Sequence, residues 1–288
     1  MNVVDMRLRP PLPSLLRSVL YREQEGVRQT RHEDFPRPQS VREASADLLI
    51  KEMDDAGVRF GVIPGRHSAE PFGVIANDEI AEFAARYPGR FVGFAGIDLR
   101  GDAADWLAQI DRWMGMPAFK GVSIEPSISL TDDIRRADDR RLYPIYEECV
   151  RRDIPVNISI SALLQRITRR PYADSDPRQV YQVALDFPRL DIHVAHAGYP
   201  WVMEMIGVAF VCTNVWMSTD TYLIPQMPGA SEYAVAANNF IQDRTLFGTN
   251  YPAKPFRQMI DAYSGWGWRE GVLPKILGAN ALRLLRME

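Results

Sequence analysis

Eight short apolar runs recur along the 288-residue chain, each followed by a stretch in which apolar residues return at helical spacing, and this alternation restricts the fold more than any other feature. The runs are NVVDM at 2–6, VRFGVIP at 58–64, RFVGFAGI at 90–97, AFKGVSI at 118–124, IPVNISI at 154–160, LDIHVAH at 190–196, TNVWMST at 213–219 and RTLFGTN at 244–250. Near-continuous apolar strands joined by helices indicate a parallel sheet buried on both faces. Eight such βα units close naturally into an α/β fold, the (β/α)8 TIM barrel, here one domain over residues 1–288. A doubly wound open sheet is the alternative, but no GxGxxG or P-loop sequence follows any run, so its nucleotide-binding versions lose support.

The first helix signature is the clearest. Ser40 and Glu43 have capping-box spacing, Leu48, Leu49 and Met53 recur at helical spacing, and Gly57 ends the stretch. Further helices are expected at about 77–87, 103–114, 139–152, 177–187, 200–208, 230–242 and 256–264. Two connections are unusually long: 10–39, after the first strand, and 161–177, after the fifth. Loops of that length in a compact domain are commonly lids or binding elements, and in a barrel both would lie over the carboxyl face. The basic run RITRRPY at 166–172 reads either as part of such a lid or as a solvated loop.

Charge and composition exclude several classes. With 34 Lys+Arg against 37 Asp+Glu the net charge is -3, so no basic field favours nucleic acid. Cys149 and Cys212 are far apart in apolar or helical patterns, which argues against a disulfide framework or a Cys-ligated zinc site and for a reducing compartment. No window approaches a membrane span and the first 30 residues lack a continuous apolar segment, so a cytoplasmic protein is expected.

The first strand runs into Arg7 and Arg9 within VDMRLRPP. Period-2 alternation puts both guanidinium groups on one side of the strand end, where they form either an anion clamp or salt bridges with Asp5, Glu125 or a lid carboxylate. Two buried cations need something anionic beside them. His193 stands three residues before His196 and is expected on the opposite strand face, toward the helices. His32 and His67 are lone imidazoles without metal-ligand spacing. Tyr199, Trp201 and Trp216 near strand ends suit either an apolar pocket or ordinary packing.

VDMRLRPP, FKGVSIEP at 119–126, IPVNIS at 154–159, VAHAGYPWV at 194–202, RTLFGTNYP at 244–252 and ILGANALRLL at 276–285 together resemble the amidohydrolase-related TIM-barrel family that includes aminocarboxymuconate-semialdehyde decarboxylase. The resemblance covers nearly the whole chain. It implies a divalent metal held by His-x-His on the first strand, a His on the fifth and an Asp on the eighth. Here those positions hold Arg7, Arg9, Ser159 and Asn250. Arginine stays protonated and offers no acceptor, so the expectation is no family-type metal and no cofactor, unless a metal binds elsewhere through His67 or lid carboxylates. His196 matches the family's acid/base histidine.

The resulting expectation is a metal-independent hydrolase or decarboxylase acting on a small carboxylated substrate, with a small anionic ligand, carboxylate or phosphate, as its partner. His196 is the proton-transfer residue, Arg7 and Arg9 bind the anion, and Ser159 and Asn250 orient the substrate. The rival is a non-catalytic anion-binding barrel or an inactive partner of a metal-bearing relative. Relatives also imply a homo-oligomer, although no stretch of sequence marks the interface.

Overall fold

The computed structural model describes residues 2–22 and 34–287. Eight parallel strands form one sheet in chain order: β1 (Val3–Asp5), β2 (Val58–Pro64), β3 (Phe91–Gly96), β4 (Phe119–Ile124), β5 (Val156–Ser159), β6 (Ile192–Ala195), β7 (Val215–Ser218) and β8 (Thr245–Leu246). The Met6 N–H donates to the Phe247 carbonyl at 3.0 Å, and Leu8 bridges Tyr251 in parallel, so the last strand meets the first. The fold is a TIM barrel, as the eight repeats imply.

Alternation sorts the side chains. Val4, Met6, Phe60, Val62, Val92, Phe94, Trp216 and Leu246 fill the interior toward the amino end, and Ala281, Leu284 and Leu285 pack against them. Their neighbours Val3, Val58, Ile63, Val122, Ile158 and Val194 join the larger cluster beneath the helices. Gly278 allows the C-terminal segment to press on the start of the chain, because a Cβ there would fall 1.9 Å from the Asn2 carbonyl oxygen. No helix among the described residues is long and apolar enough to cross a membrane. Cys149 and Cys212 are free and buried.

Most helices lie where the periodicity puts them, including Asn77–Arg86, Ala103–Met114, Arg178–Asp186 and Phe256–Ser264. The first helix departs in its cap. Ser45 caps the helix Ala46–Ala56 by accepting from the Leu48 N–H at 3.2 Å, and Gly57 ends it in the left-handed region at φ 74°. Ser40 sits instead in a separate short helix, Gln39–Arg42, where its hydroxyl bonds Glu52 and Tyr251, so the apparent capping box is a tertiary contact. Six of the strands stop short of their apolar runs because the last residues of those runs leave the hydrogen-bonded ladder, whereas β2 and β4 extend to the end of theirs. The 161–177 connection contains a helix, Ala162–Thr168, with Ser161 as its cap, and the first connection holds the short helix Pro13–Leu16. His32 lies outside the described residues.

Candidate active site at the carboxyl end of the barrel

A narrow cavity of about 70 Å3 lies at the carboxyl end of the strands. Its polar side carries Arg9, Arg66, Ser161, His196, Tyr222, Asn250 and Lys254; its apolar side carries Val19, Leu20, Phe72, Leu163, Leu164 and Ile167. Val19, Phe72 and Leu164 pack into one small cluster with Ile128. The two long connections therefore meet over the barrel mouth and roof the cavity with apolar side chains.

Arg7 is engaged within the protein through its Nη2 and through two carboxylates. Its Nη2 donates to Ser159 Oγ at 2.9 Å and to Glu125 Oε1 at 3.4 Å, and its Nε lies 3.7 Å from Asp220 Oδ2. Glu125 also accepts from Ser68 Oγ at 2.5 Å and lies 3.6 Å from Arg66 Nε. Burial alone would raise the pKa of Glu125, but the charges of Arg66 and Arg7 and the Ser68 hydroxyl outweigh it and hold the carboxyl at about 2. Arg66 reaches this position because β2 and β3 crowd together at their ends, where a Cβ on Gly96 would fall 2.4 Å from the Arg66 nitrogen.

Arg9 differs. It is 2% exposed, its Nη1 donates to Asn250 Oδ1 at 2.5 Å, and no carboxylate among the described residues lies within ion-pair distance. Burial, then the charges of Arg7 and Arg66, push its pKa well below the usual value. An arginine does not yield its proton at neutral pH, so Arg9 remains a buried cation that lines the cavity. Arg7 Nη1, Arg9 Nε and Arg66 Nη1 are all buried without a hydrogen-bond acceptor. Buried donors in that condition are costly, and an anionic group satisfies several at once.

His196 follows β6 in a tight turn with φ 67°, and Ala197 continues it at φ 44°. Its Nδ1 lies 2.9 Å from Asp220 Oδ2, an ion pair only once the ring is protonated, and the same oxygen accepts the His196 backbone N–H at 3.0 Å. That leaves Nε2 as the nitrogen for the cavity. Burial and the positive charge of Arg7 outweigh Asp220 and bring the imidazole pKa down to about 4, so it is neutral at pH 7. Asp220 itself is held below the usual carboxylate range: burial opposes ionisation, but His196 and Arg7 overcome it. Its backbone is left-handed at φ 51°, and Gly248 makes room for it, since a Cβ there would fall 2.4 Å from Asp220 Oδ1.

His193 corrects the expectation from alternation. Its Nε2 is 2.8 Å from Ser218 Oγ, its ring meets Phe94 edge-on, and the neighbouring strands contribute an Asn157–Ser123 hydrogen bond of 2.9 Å, so it faces the barrel interior rather than the helices. The parity argument fails because β6 ends at Ala195 and the turn reverses the direction of His196. Burial holds His193 neutral, with its pKa near 3.

Of the other aromatic candidates, Tyr199 stacks on Tyr222 at 4.1 Å, Trp201 packs on Tyr172, and Trp216 lies in the barrel interior with its indole N–H on Asp191. His67 stands 3.6 Å from Asp98. Asp220 was not singled out from sequence, although its place just past the seventh strand is a signal of position. Arg66, Tyr222 and Lys254 were also missed. Burial lowers the pKa of Lys254 to about 8.

The divalent metal of the family type does not fit these residues. Its four positions form two pairs, Arg7 with Ser159 and Arg9 with Asn250, in which each oxygen already accepts from a guanidinium. Guanidinium has no lone pair to offer and repels a cation. Among the described residues no group of three or more His, Cys, Asp or Glu side chains is arranged to hold a metal ion.

An uncharacterised TIM-barrel protein from Bordetella bronchiseptica is 32% identical, with a TM-score of 0.88, 100% of this chain covered and 99% of that one. A 2,6-dihydroxybenzoate decarboxylase from Rhizobium shares the fold at 18% identity and TM-score 0.72, covering 100% and 99%. The 5-carboxyvanillate decarboxylase of Sphingomonas paucimobilis does so at 19% identity and TM-score 0.63, covering 100% and 99%. No curated protein matches significantly. The amidohydrolase family model matches residues 4–287, and the chain belongs to that family.

Proposed function

We propose that the protein is a metal-independent hydrolase acting on a small carboxylated substrate. The observation that carries this reading is the sharing of one cavity by Arg9, a buried guanidinium without a carboxylate partner among the described residues, and His196, a neutral imidazole backed by Asp220. The substrate carboxylate binds Arg9 and takes up the donors left open on Arg66. His196 Nε2 accepts a proton from a water that attacks the ester, lactone or amide carbonyl, Asp220 stabilises the imidazolium, and the proton then passes to the leaving oxygen or nitrogen. A histidine that is neutral at pH 7 suits proton acceptance, whereas decarboxylation needs a group that delivers a proton to carbon. Hydrolysis is therefore the leading reading within a fold shared with named decarboxylases.

The test is a turnover screen of carboxylated lactones, esters and amides, with hydroxybenzoates alongside, using protein treated with chelator. Hydrolysis lost in His196→Ala supports the proposal, and carbon dioxide release from the benzoates would replace it with decarboxylation. The second reading, a non-catalytic anion-binding barrel, is favoured by the four replaced ligand positions. Thermal stabilisation by carboxylates without turnover of any of these classes selects it.

A further inference from the structure

The cavity beside Arg9 and His196 is too small for a whole substrate. It holds about 70 Å3, whereas a cavity of about 150 Å3 takes one benzene and ligand pockets run to roughly 300–1,000 Å3. A carboxylate and the carbonyl that reacts fill it. The rest of the substrate needs another compartment, and a larger hollow of about 500 Å3 adjoins the cavity among the described residues. Leu163 and Tyr222 line both spaces, so these two side chains are the wall between them.

The far side of that wall is flat and apolar. Tyr199 lies nearly parallel to Tyr222, with ring centroids 4.1 Å apart and 9° between the planes, and Pro200, Met227 and Tyr172 continue the surface. The cations at its edge are committed elsewhere: Arg170 binds the Ser129 carbonyl at 2.8 Å and Asp132 at 2.9 Å, and Arg166 is not free either. The rings therefore set the character of the hollow. Tyr222 also meets His196 edge-on, with centroids 6.0 Å apart, so the ring that walls the hollow borders the imidazole. Its hydroxyl is held 2.8 Å from Ser161 Oγ and its face is covered by Tyr199, which leaves the half-buried Leu163 as the movable part of the wall.

We infer that this hollow is the subsite for an aromatic group on the leaving side of the substrate. The substrate then has two unlike ends: a carboxylate at Arg9 and a flat ring against Tyr199 and Tyr222, with the reacting carbonyl between them beside His196. The order of these parts rests on the hydrolytic reading. Cleavage breaks the bond between the carbonyl carbon and the leaving oxygen, and the oxygen of water takes its place. The proton that His196 accepted from the water passes to the leaving oxygen, which departs as a neutral alcohol. An apolar compartment suits that product, whereas the acid left at Arg9 is charged. A single-ring benzoate carries its carboxylate on the ring itself, so it occupies one compartment only.

Calorimetric titration of the full chain with straight-chain ω-phenylalkanoates, each against the alkanoate of the same chain length, reads the subsite by binding alone. The terminal phenyl should lower Kd by about 10-fold or more at the chain length that reaches the hollow. Tyr199→Ala removes the platform and Leu163→Trp fills the passage, and each should cut that gain to about 3-fold or less. Circular dichroism establishes which variants are folded. Hydrolysis of the methyl, butyl and benzyl monoesters of succinate, whose alcohols leave with similar ease, reads the order of the parts, and kcat/KM should rise along the series. A phenyl gain with no ester hydrolysed keeps the subsite and overturns the hydrolytic reading, and with it the order of the parts. A methyl ester cleaved as fast as the benzyl one keeps hydrolysis and overturns the subsite. So does a phenyl gain below about 3-fold at every chain length, or one that survives in either folded variant.

Discussion

His196 Nδ1 stands 2.9 Å from Asp220 Oδ2, and that oxygen also receives the His196 backbone N–H at 3.0 Å. One carboxylate thus holds both the ring and the strained turn that carries it. Orientation and charge are supplied by the same atom, which is the arrangement a general base needs when its imidazolium must form in a buried place.

Substituting the ring should remove turnover, and substituting its partner should separate positioning from binding. Asp220→Asn is expected to lower kcat by about 100-fold with KM little changed. Steady-state kinetics with both variants checks this. Equal losses in kcat/KM through KM alone would assign Asp220 to substrate binding.

Arg7 and Arg9 should part company on mutation. Arg7→Met strips Glu125 of one of its two arginine partners and is expected to cost about 3 kcal/mol of stability, read by urea denaturation. Arg9→Met removes a cation with no carboxylate beside it among the described residues, so stability should hold or rise, while the Kd for small carboxylates increases about 10–100-fold. Calorimetric titration with a carboxylate that stabilises the natural protein measures the second effect.

Acid should weaken the fold earlier than usual. His193 and His196 are neutral when folded, with pKa near 3 and 4, against 6.5 unfolded. Their contribution is complete above pH 6.5 and is lost as the pH falls through the folded values, because the unfolded state takes up protons first. Asp5 works the other way: burial raises it from 3.8 to about 6, against the bonds from Thr249 and Arg7, so its folded form gains protons, and stability, on going below pH 6. Two histidines outweigh one aspartate by about 2–3 kcal/mol at pH 5. Denaturation at pH 7 and pH 5 checks the sign, and His193→Asn should halve the histidine share.

Chelator treatment should leave melting temperature and turnover unchanged, and added zinc should not bind at the barrel mouth. Restoring the family pattern with Arg7→His, Arg9→His, Ser159→His and Asn250→Asp together should create zinc binding, measured by elemental analysis after dialysis. Zinc retained stoichiometrically by the natural sequence would refute the metal-free reading.

Much of this was legible in the chain itself. The near-continuous apolar runs and their helical partners specify eight βα units, because burying apolar surface is a local demand that each segment states by its own spacing. The places of Arg7, Arg9, Ser159, Asn250 and His196 at strand ends follow from the same register. What lay beyond the sequence was which charge meets which. Ser159 is 152 residues from the arginine it binds, and Asn250 is 241 residues from its own. Asp220 reaches His196 only because of a left-handed turn and a glycine just past the next strand. His193 faces inward by ordinary alternation with Ile192 and Val194, and His196 shares the barrel mouth only because the strand ends at Ala195 and the turn reverses its direction. Hydrophobic periodicity is written along the chain, whereas electrostatic pairing is settled across the barrel mouth by distances that exist only after the sheet has closed.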